Sequence, residues 1–295
     1  MWVVNYRKIF YGISIILVLI SAGALAVWGL IPGIDFTGGT LIEVSYPQGR
    51  PEQVQVVTNL ANFDENASVR PSDEDSYIIR MREVDQVEKE AVLDLLSMNG
   101  SLNIVENNFS SIGPVLGSEA LRKSILSVVL VIVGILLYIT FAFRKVSEPV
   151  SSWKYALIAI VGLVHNIVIT MGAFAILGNY AGYEVDTLFV TALLVILGFS
   201  VHDTIVVFDR VRENLRSSSH LAFAETVGKS ISQTFTRSIN TSLTTLMSLV
   251  MLYIFGGQST EHFALALIIG IAAGTYSSIF IGSPLLVTVY TWLKK

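Results

Sequence analysis

The sequence predicts a membrane α-helical bundle of six transmembrane helices with a small extracytoplasmic α+β domain. Three observations lead there. The chain is 53% hydrophobic and only 14% charged over 295 residues, far from soluble averages. Its apolar runs are each about 20 residues long, the length that a hydrocarbon core about 30 Å thick requires of a spanning helix. After Pro32 they are interrupted by a segment of soluble, acidic character.

The first run covers 9–30. Arg7 and Lys8 precede it and Ala24-Leu25-Ala26 imitates a signal-peptidase site, but the apolar stretch continues through Val27, Trp28, Leu30 and Ile31. That is longer than the h-region of a signal peptide, so an uncleaved span is expected. The other runs cover 125–143, 155–178, 187–208, 239–255 and 263–293. Basic residues cluster at Arg7/Lys8, Arg144/Lys145/Lys154, Arg210/Arg212/Arg216/Lys229 and Lys294/Lys295, all on one side, which the positive-inside rule makes the cytoplasm. An even number of spans puts both termini there. The expected domains are 1–31, the first transmembrane helix; 32–122, an extracytoplasmic domain; and 123–295, a five-helix region with a cytoplasmic loop at 209–236.

The outer segment alternates strand and helix periods. Strands are expected at 41–46, 67–71, 77–82 and 102–107. One helix is expected over 51–62, with Pro51 in its first turn and Val54, Val57, Leu60 and Ala61 on one face, and a second over 86–98. The order βαββαβ is the ferredoxin-like arrangement, two helices on one face of an antiparallel sheet. The breaker cluster from Ser111 to Gly117 reads as a hinge or connector that ends the domain. In 209–236, Phe223, Val227, Ile231 and Phe235 recur at helical spacing. That pattern fits either an amphipathic helix on the membrane surface or a helix packed against the ends of other spans.

Composition also excludes chemistry. A net charge of −4 without a basic face argues against nucleic acid. With no cysteine, disulfides, thiolate metal sites and cysteine nucleophiles are out. His202 and Asp203 are adjacent and point to different faces, and no HExxH spacing occurs, so no metal is expected. An intramembrane aspartyl protease needs two carboxylates at depth, and no nucleophile constellation suggests another enzyme.

Asp203 is the most informative residue. It lies inside the fourth run, with Ser200 and Thr204 on the same face at three- and four-residue spacings. A charge near the bilayer centre costs about 2.5–3.5 kcal/mol on insertion scales, so ionisable groups there are functional by default. Burial favours the neutral form of such a carboxyl and a nearby cation its charged form, so a moving partner would switch it, as a proton carrier requires. The competing reading is an acceptor wetted from the cytoplasmic end, since Asp209 follows six residues on, about 9 Å along the helix. Arg237 is the candidate partner. It stays protonated and heads a stripe of Thr241, Thr244, Thr245 and Ser248 that would line a hydrated path. Alternatively Arg237 snorkels to the interface while the hydroxyls bond their own helix backbone. His165, with Asn166 beside it, and His202 are accessory candidates because imidazoles relay protons. Gly270, Gly274, Ser278 and Gly282 form a ladder of small residues that lets another helix approach closely.

Ordered motifs then become specific. Gly33-Ile34-Asp35-Phe36-Thr37-Gly38-Gly39-Thr40, Ile112-Gly113-Pro114-Val115-Leu116-Gly117, the run from Asp203 to Arg210 with Arg212-Glu213-Asn214, Arg237-Ser238-Ile239-Asn240-Thr241-Ser242, Phe255-Gly256-Gly257 and the run from Gly274 to Phe280 resemble the SecD/SecF family, on its SecF side, within the resistance-nodulation-division superfamily. The resemblance covers essentially the whole chain. It implies a bacterial inner-membrane subunit that pairs with SecD, assists the SecYEG channel and its motor SecA, and uses the proton-motive force to draw unfolded exported polypeptides outward. It implies no cofactor and no enzymatic activity, with protons as the coupling ion and sodium as the open alternative. By position, Asp203 and Arg237 match the family's proton-conducting pair. Two departures stand out: the family's His-Asp in the third span is His165-Asn166 here, and its Asn-Asp in the fourth is His202-Asp203. The alternative function is a half-transporter exporting a lipid or small hydrophobic molecule.

Overall fold

The computed structural model describes residues 2–72, 74–144, 151–217 and 222–293. The predicted basic anchors Lys145, Lys294 and Lys295 lie outside the described residues. The chain divides into two compact units, Met1–Ile31 with Ile125–Lys295, and Pro32–Ser124.

A short helix α1, Trp2–Asn5, leads into α2, Arg7–Val27. The second unit opens with one helical turn, α3, Ile34–Thr37, then β1 (Gly39–Ser45), α4 (Gln53–Ala61), β2 (Ser68–Pro71), β3 (Ser76–Met81), α5 (Gln86–Leu96) and β4 (Val105–Ile112). The four strands form one antiparallel sheet in the order β2-β3-β1-β4. Alternate residues of β1 point inward, and Ile42, Val44 and Ile79 are covered by Val56 and Leu60 of α4 and by Val92 and Leu96 of α5. Helix α4 buries a different face from the expected one. The helix starts at Gln53, after Pro51, and buries Val56 and Leu60, whereas Val54 is 73% exposed. Strand β4 is also displaced from the expected 102–107. Its register with β1 runs on to Ile112 opposite Gly39, so the breaker cluster forms the end of a strand and, from Pro114, the start of a helix.

That junction depends on two glycines. A Cβ at Gly117 would lie 2.8 Å from the Gly38 nitrogen and 3.0 Å from the Phe36 oxygen, and one at Gly38 would lie 2.7 Å from Pro114 Cα. Gly38 also has φ +75°, which disfavours a side chain. The motifs from Gly33 to Thr40 and from Ile112 to Gly117 are therefore two halves of one close backbone approach.

Helix α5 begins with a capping box: Asp85 accepts from the Val87 and Glu88 amides at 2.9 and 2.8 Å, while Glu88 accepts from the Asp85 amide at 3.4 Å. Arg82 donates two bonds to Glu88, at 3.0 and 2.7 Å, and this hydrogen bonding holds the Glu88 carboxyl below its ordinary 4.5. A depressed folded-state value stabilises the domain above the unfolded value, and that contribution disappears as pH falls through the folded one. Hydrogen-exchange protection of α5, corrected for intrinsic rates, is therefore expected to weaken in acid below about pH 4.5 in the parent. Glu88→Gln is expected to start with lower protection and change less over the same range. The effect is modest because the pair is exposed.

The remaining helices are α6 (Pro114–Ala142), α7 (Ser152–Ala181), α8 (Thr187–Ser217), α9 (Phe223–Phe255), α10 (Gln258–Ser277) and α11 (Ser283–Leu293). A π-helical turn, Ser278–Gly282, joins the last two. Pro284 gives a reason for the turn, since proline has no N–H to donate and its ring displaces the preceding helical carbonyl. Six helical stretches among the described residues are long and apolar enough to cross a membrane: Arg7–Val27, Pro114–Ala142, Ser152–Ala181, Thr187–Ser217, Phe223–Phe255 and Thr260–Trp292.

In the segment 209–236, expected as a loop, residues 209–217 and 223–236 are helical, and 218–221 lie outside the described residues. It packs against other helices. Phe223, Val227 and Ile231 are buried, the Phe223 ring meets Tyr290 at 4.6 Å, and Asn214 donates to Ser230 Oγ and Gln233 Oε1, both at 2.8 Å. The core at this end is aromatic, with Phe143 stacked on Tyr155 at 5.5 Å and both edge-on to Phe208. Outward side chains such as Ile16, Leu19, Val129, Leu137 and Met247 are exposed, an apolar surface that water would not tolerate but lipid does.

Candidate functional site

Asp203 lies roughly midway along α8 and is 2% exposed. The polar side chains gathered inside the bundle come from four helices: His165, Asn166 and Thr170 of α7, Ser200, Asp203 and Thr204 of α8, Ser238 and Ser242 of α9, and Thr275 and Ser277 of α10. Glycines bring them together. A Cβ at Gly270 would collide with Ile196, and one at Gly274 would collide with the Ser200 hydroxyl and lie 3.5 Å from Asn166 Nδ2. These two rungs of the small-residue ladder thus face α8, and α7, α8 and α10 meet at Gly274.

Two hydrogen-bonded chains result. In the first, Thr275 Oγ1 donates to Ser242 Oγ at 2.7 Å, and Ser242 Oγ donates to Asp203 Oδ2 at 3.5 Å, a long bond. In the second, His165 Nδ1 pairs with Asn166 Oδ1 at 3.0 Å, and Asn166 Nδ2 donates to Ser200 Oγ at 3.0 Å. Buried polar atoms without a protein partner among the described residues adjoin both chains, His165 Nε2 and Ser238 Oγ. Leaving such a group unsatisfied costs about 1–3 kcal/mol. A hydroxyl both donates and accepts, so a carboxyl beside a row of them has neighbours that can receive or return its proton.

The other predicted residues fall as follows. His202 is exposed, with Nδ1 3.7 Å from Asp203 Oδ1, an ion pair only when the imidazole is protonated. Thr204 is buried and donates to the Ser200 carbonyl at 2.9 Å. Arg237 is exposed on α9 and forms no ion pair with Asp203 among the described residues. Thr241 and Thr245 are half-buried and Thr244 and Ser248 exposed. Thr244, Thr245 and Ser248 donate to carbonyls one turn back on α9, at 3.0, 3.0 and 3.2 Å. These three members of the stripe therefore bond their own backbone, and the serines beside it, Ser238 and Ser242, turn inward. Sequence reasoning overlooked those two and Thr275. The available signal was the four-residue spacing of Ser238 and Ser242 and the position of Thr275 directly after Gly274.

A bundle of this kind, with a four-stranded antiparallel domain and an acid buried among hydroxyls, is that of a multi-pass membrane protein with an internal ionisable site. The chain belongs to the SecD/SecF family. A family model described as "Protein export membrane protein SecD/SecF, C-terminal" matches residues 91–292, and one for the SecD/SecF GG motif matches residues 23–46, which contain Gly38-Gly39. Protein translocase subunit SecF of Thermobaculum terrenum is 42% identical over 99% of this chain and 94% of that protein. The Synechocystis subunit of the same name is 38% identical, over 99% and 93%. The crystal structure of SecDF, a translocon-associated membrane protein from Thermus thermophilus, superposes with a TM-score of 0.82 at 30% identity. The alignment covers 99% of this chain and 38% of that one, so the chain spans well under half the length of that protein.

Proposed function

We propose that this chain is the SecF-type subunit of a Sec preprotein translocase, working with a SecD partner to convert the proton-motive force into export of unfolded polypeptides through SecYEG and SecA. The observation that carries the reading is Asp203, buried at mid-helix with Ser242 and Thr275 in line beside it. The family membership and the SecDF likeness support the pairing with SecD. In this reading the protein sits in the bacterial inner membrane with both termini cytoplasmic, consistent with the basic side of its spans. The outer unit takes the ferredoxin-like arrangement, which the strand order β2-β3-β1-β4 and the two helices over one face support.

Proton entry neutralises Asp203, and its release restores a carboxylate that draws Arg237 inward in a second arrangement of α8 and α9. Ser200, Thr204, His165, Asn166, His202, Thr241 and Thr245 tune hydration around it. One charge crossing 100 mV gains about 2.3 kcal/mol, enough to reverse the populations of two helix arrangements that differ by about 1 kcal/mol. No cofactor enters the cycle, and the proton is the coupling ion.

The test is proton flux and export in vesicles holding the chain, its SecD partner and SecYEG with SecA. Asp203→Asn and Arg237→Met are each expected to lose the proton-dependent part of export. Parental flux in Asp203→Asn at normal assembly would sink the proposal, and a flux that follows sodium would move it to the other ion.

A further inference from the structure

A second titratable cluster occupies the other end of the same four helices, away from Arg210, Arg212 and Arg216. Tyr183, on the link between α7 and α8, donates from its hydroxyl to Glu261 Oε1 on α10 at 3.1 Å. Its ring stacks on His262, with centroids 4.0 Å apart and planes inclined by 26°. Tyr253, near the end of α9, hydrogen-bonds the same phenol. Asp186, three residues along the link, accepts from the Phe189 amide at 2.7 Å and so caps α8, and the charges acting on His262 are those of Glu261 and Asp186. The link itself is pinned by the Val185 amide donating to the Ile31 carbonyl at 2.9 Å.

All four helices that supply the Asp203 site therefore end in one polar knot, roughly 20 Å along α10 from Thr275. The mix of groups suits proton capture. The phenol is held well above its usual range by burial, by the bond to Tyr253 and by the Glu261 charge, so it stays a donor. Beside it are the Glu261 carboxylate, which accepts its bond, and an imidazole, the side-chain type that exchanges protons near neutrality. Groups that only close a bundle do not need to titrate.

We propose that Tyr183, Tyr253, Glu261 and His262 form a proton-loading gate for the Asp203 site, a step that rests on the proton-coupled function proposed above. The Glu261 carboxylate takes a proton from the aqueous side, holds it while the turn is open, and gives it up toward the Asp203 carboxylate, its final acceptor, with the His262 imidazole as the neighbouring base. While Glu261 is charged, the Tyr183 bond latches the first turn of α10 to the α7–α8 link. Protonation of Glu261 removes the charge from that bond and weakens it. The freed turn begins the helix that carries Gly274 and Thr275, so loading and opening are one event.

The experiment measures proton flux in the same vesicles as a function of outer pH for the parent, Glu261→Gln, His262→Gln, Tyr183→Phe and Asp203→Asn, with assembly checked by recovery of the SecD partner. Glu261→Gln and His262→Gln are expected to lose about tenfold of the flux at neutral pH and to regain part of it as the outer solution is acidified. Tyr183→Phe is expected to shift the midpoint of the flux profile. Asp203→Asn stays silent at every pH. If the three gate variants follow the parental profile while Asp203→Asn is silent, the gate is overturned and the Asp203 mechanism stands. If Asp203→Asn conducts like the parent, the mechanism falls and the gate with it. Should a glutamine variant fail to assemble, Tyr183→Phe decides alone, since it deletes one hydroxyl and an unshifted profile contradicts the latch.

Discussion

Asp203→Asn is expected to abolish proton-coupled export while leaving the chain as abundant and as well assembled as the parent. Asparagine keeps the shape and an acceptor for Ser242, so the bond at 3.5 Å has a partner in both proteins. What disappears is the ability to carry a charge and a proton. A carboxylate 2% exposed inside a bundle destabilises it unless compensated, and among the described residues the ion-pair partner in this arrangement is His202, at 3.7 Å and charged only when its imidazole is protonated. Removing the charge should therefore leave thermal stability unchanged or raise it. Ser242→Ala is the graded companion. A hydrogen bond to a charged group is worth about 1.5–3 kcal/mol, and the length of this one puts it at the low end, so flux should fall about tenfold. Combining the two changes should add nothing to Asp203→Asn alone, because Ser242 acts through the carboxyl. Additive losses would show that Ser242 serves another path.

The spans were legible because lipid imposes an uninterrupted apolar stretch on any helix that crosses it. The same rule is blind to helix outside the lipid. α6 begins at Pro114 and α9 at Phe223, each more than ten residues before the apolar run starts, and the added turns carry Ser118, Glu119, Arg122 and Lys123 or Glu225, Lys229 and Gln233. Strand β4 was misplaced for the opposite reason. Its residues Glu106, Asn107 and Asn108 are exposed, so there is no alternation to read, and its position is set by pairing with β1, a partner more than 60 residues away. In α4 two apolar faces compete, Val54 with Val57 and Val56 with Leu60, and only docking on the sheet selects the second.

The site divides similarly. Asp203 stands out in sequence because a charge in an apolar run is costly wherever the helix is packed. The choice between Thr241 and Ser242 is a rotation of about 100° about α9, and hydroxyl periodicity supports both. Tertiary packing decides it: Thr275, brought inward next to Gly274, meets Ser242 at 2.7 Å. The knot at Tyr183, Glu261 and His262 joins residues 78 apart and has no local signature at all.

Gly172→Ala is expected to be among the most destabilising single changes in the membrane unit. On that glycine, α7 and α2 approach so closely that an added Cβ would lie 2.5 Å from Ser21 Cα and closer still to Ser21 Cβ. Backbone cannot rotate away as a side chain can, so α2 would have to withdraw from α7 and take its buried residues Ser14, Ser21 and Ala24 with it. Overpacking of this kind costs about 1–3 kcal/mol or more, and small residues at helix crossings are the main source of affinity between helices in lipid. Gly198→Ala is the matched control, because a Cβ there meets nothing within 4 Å and alanine favours helix over glycine by about 1 kcal/mol. In a thermal unfolding series in detergent, Gly172→Ala should melt well below the parent and Gly198→Ala at or above it. Ser21→Gly placed on the Gly172→Ala background should recover part of the loss by removing the side-chain clash, with the remainder reflecting the clash against the Ser21 backbone. Equal melting of Gly172→Ala and parent would mean that α2 is not held against α7 by this approach, and that its alignment rests on the Tyr11 bond to Thr288 at 3.1 Å and the Tyr276 bond to the Phe10 carbonyl at 3.0 Å.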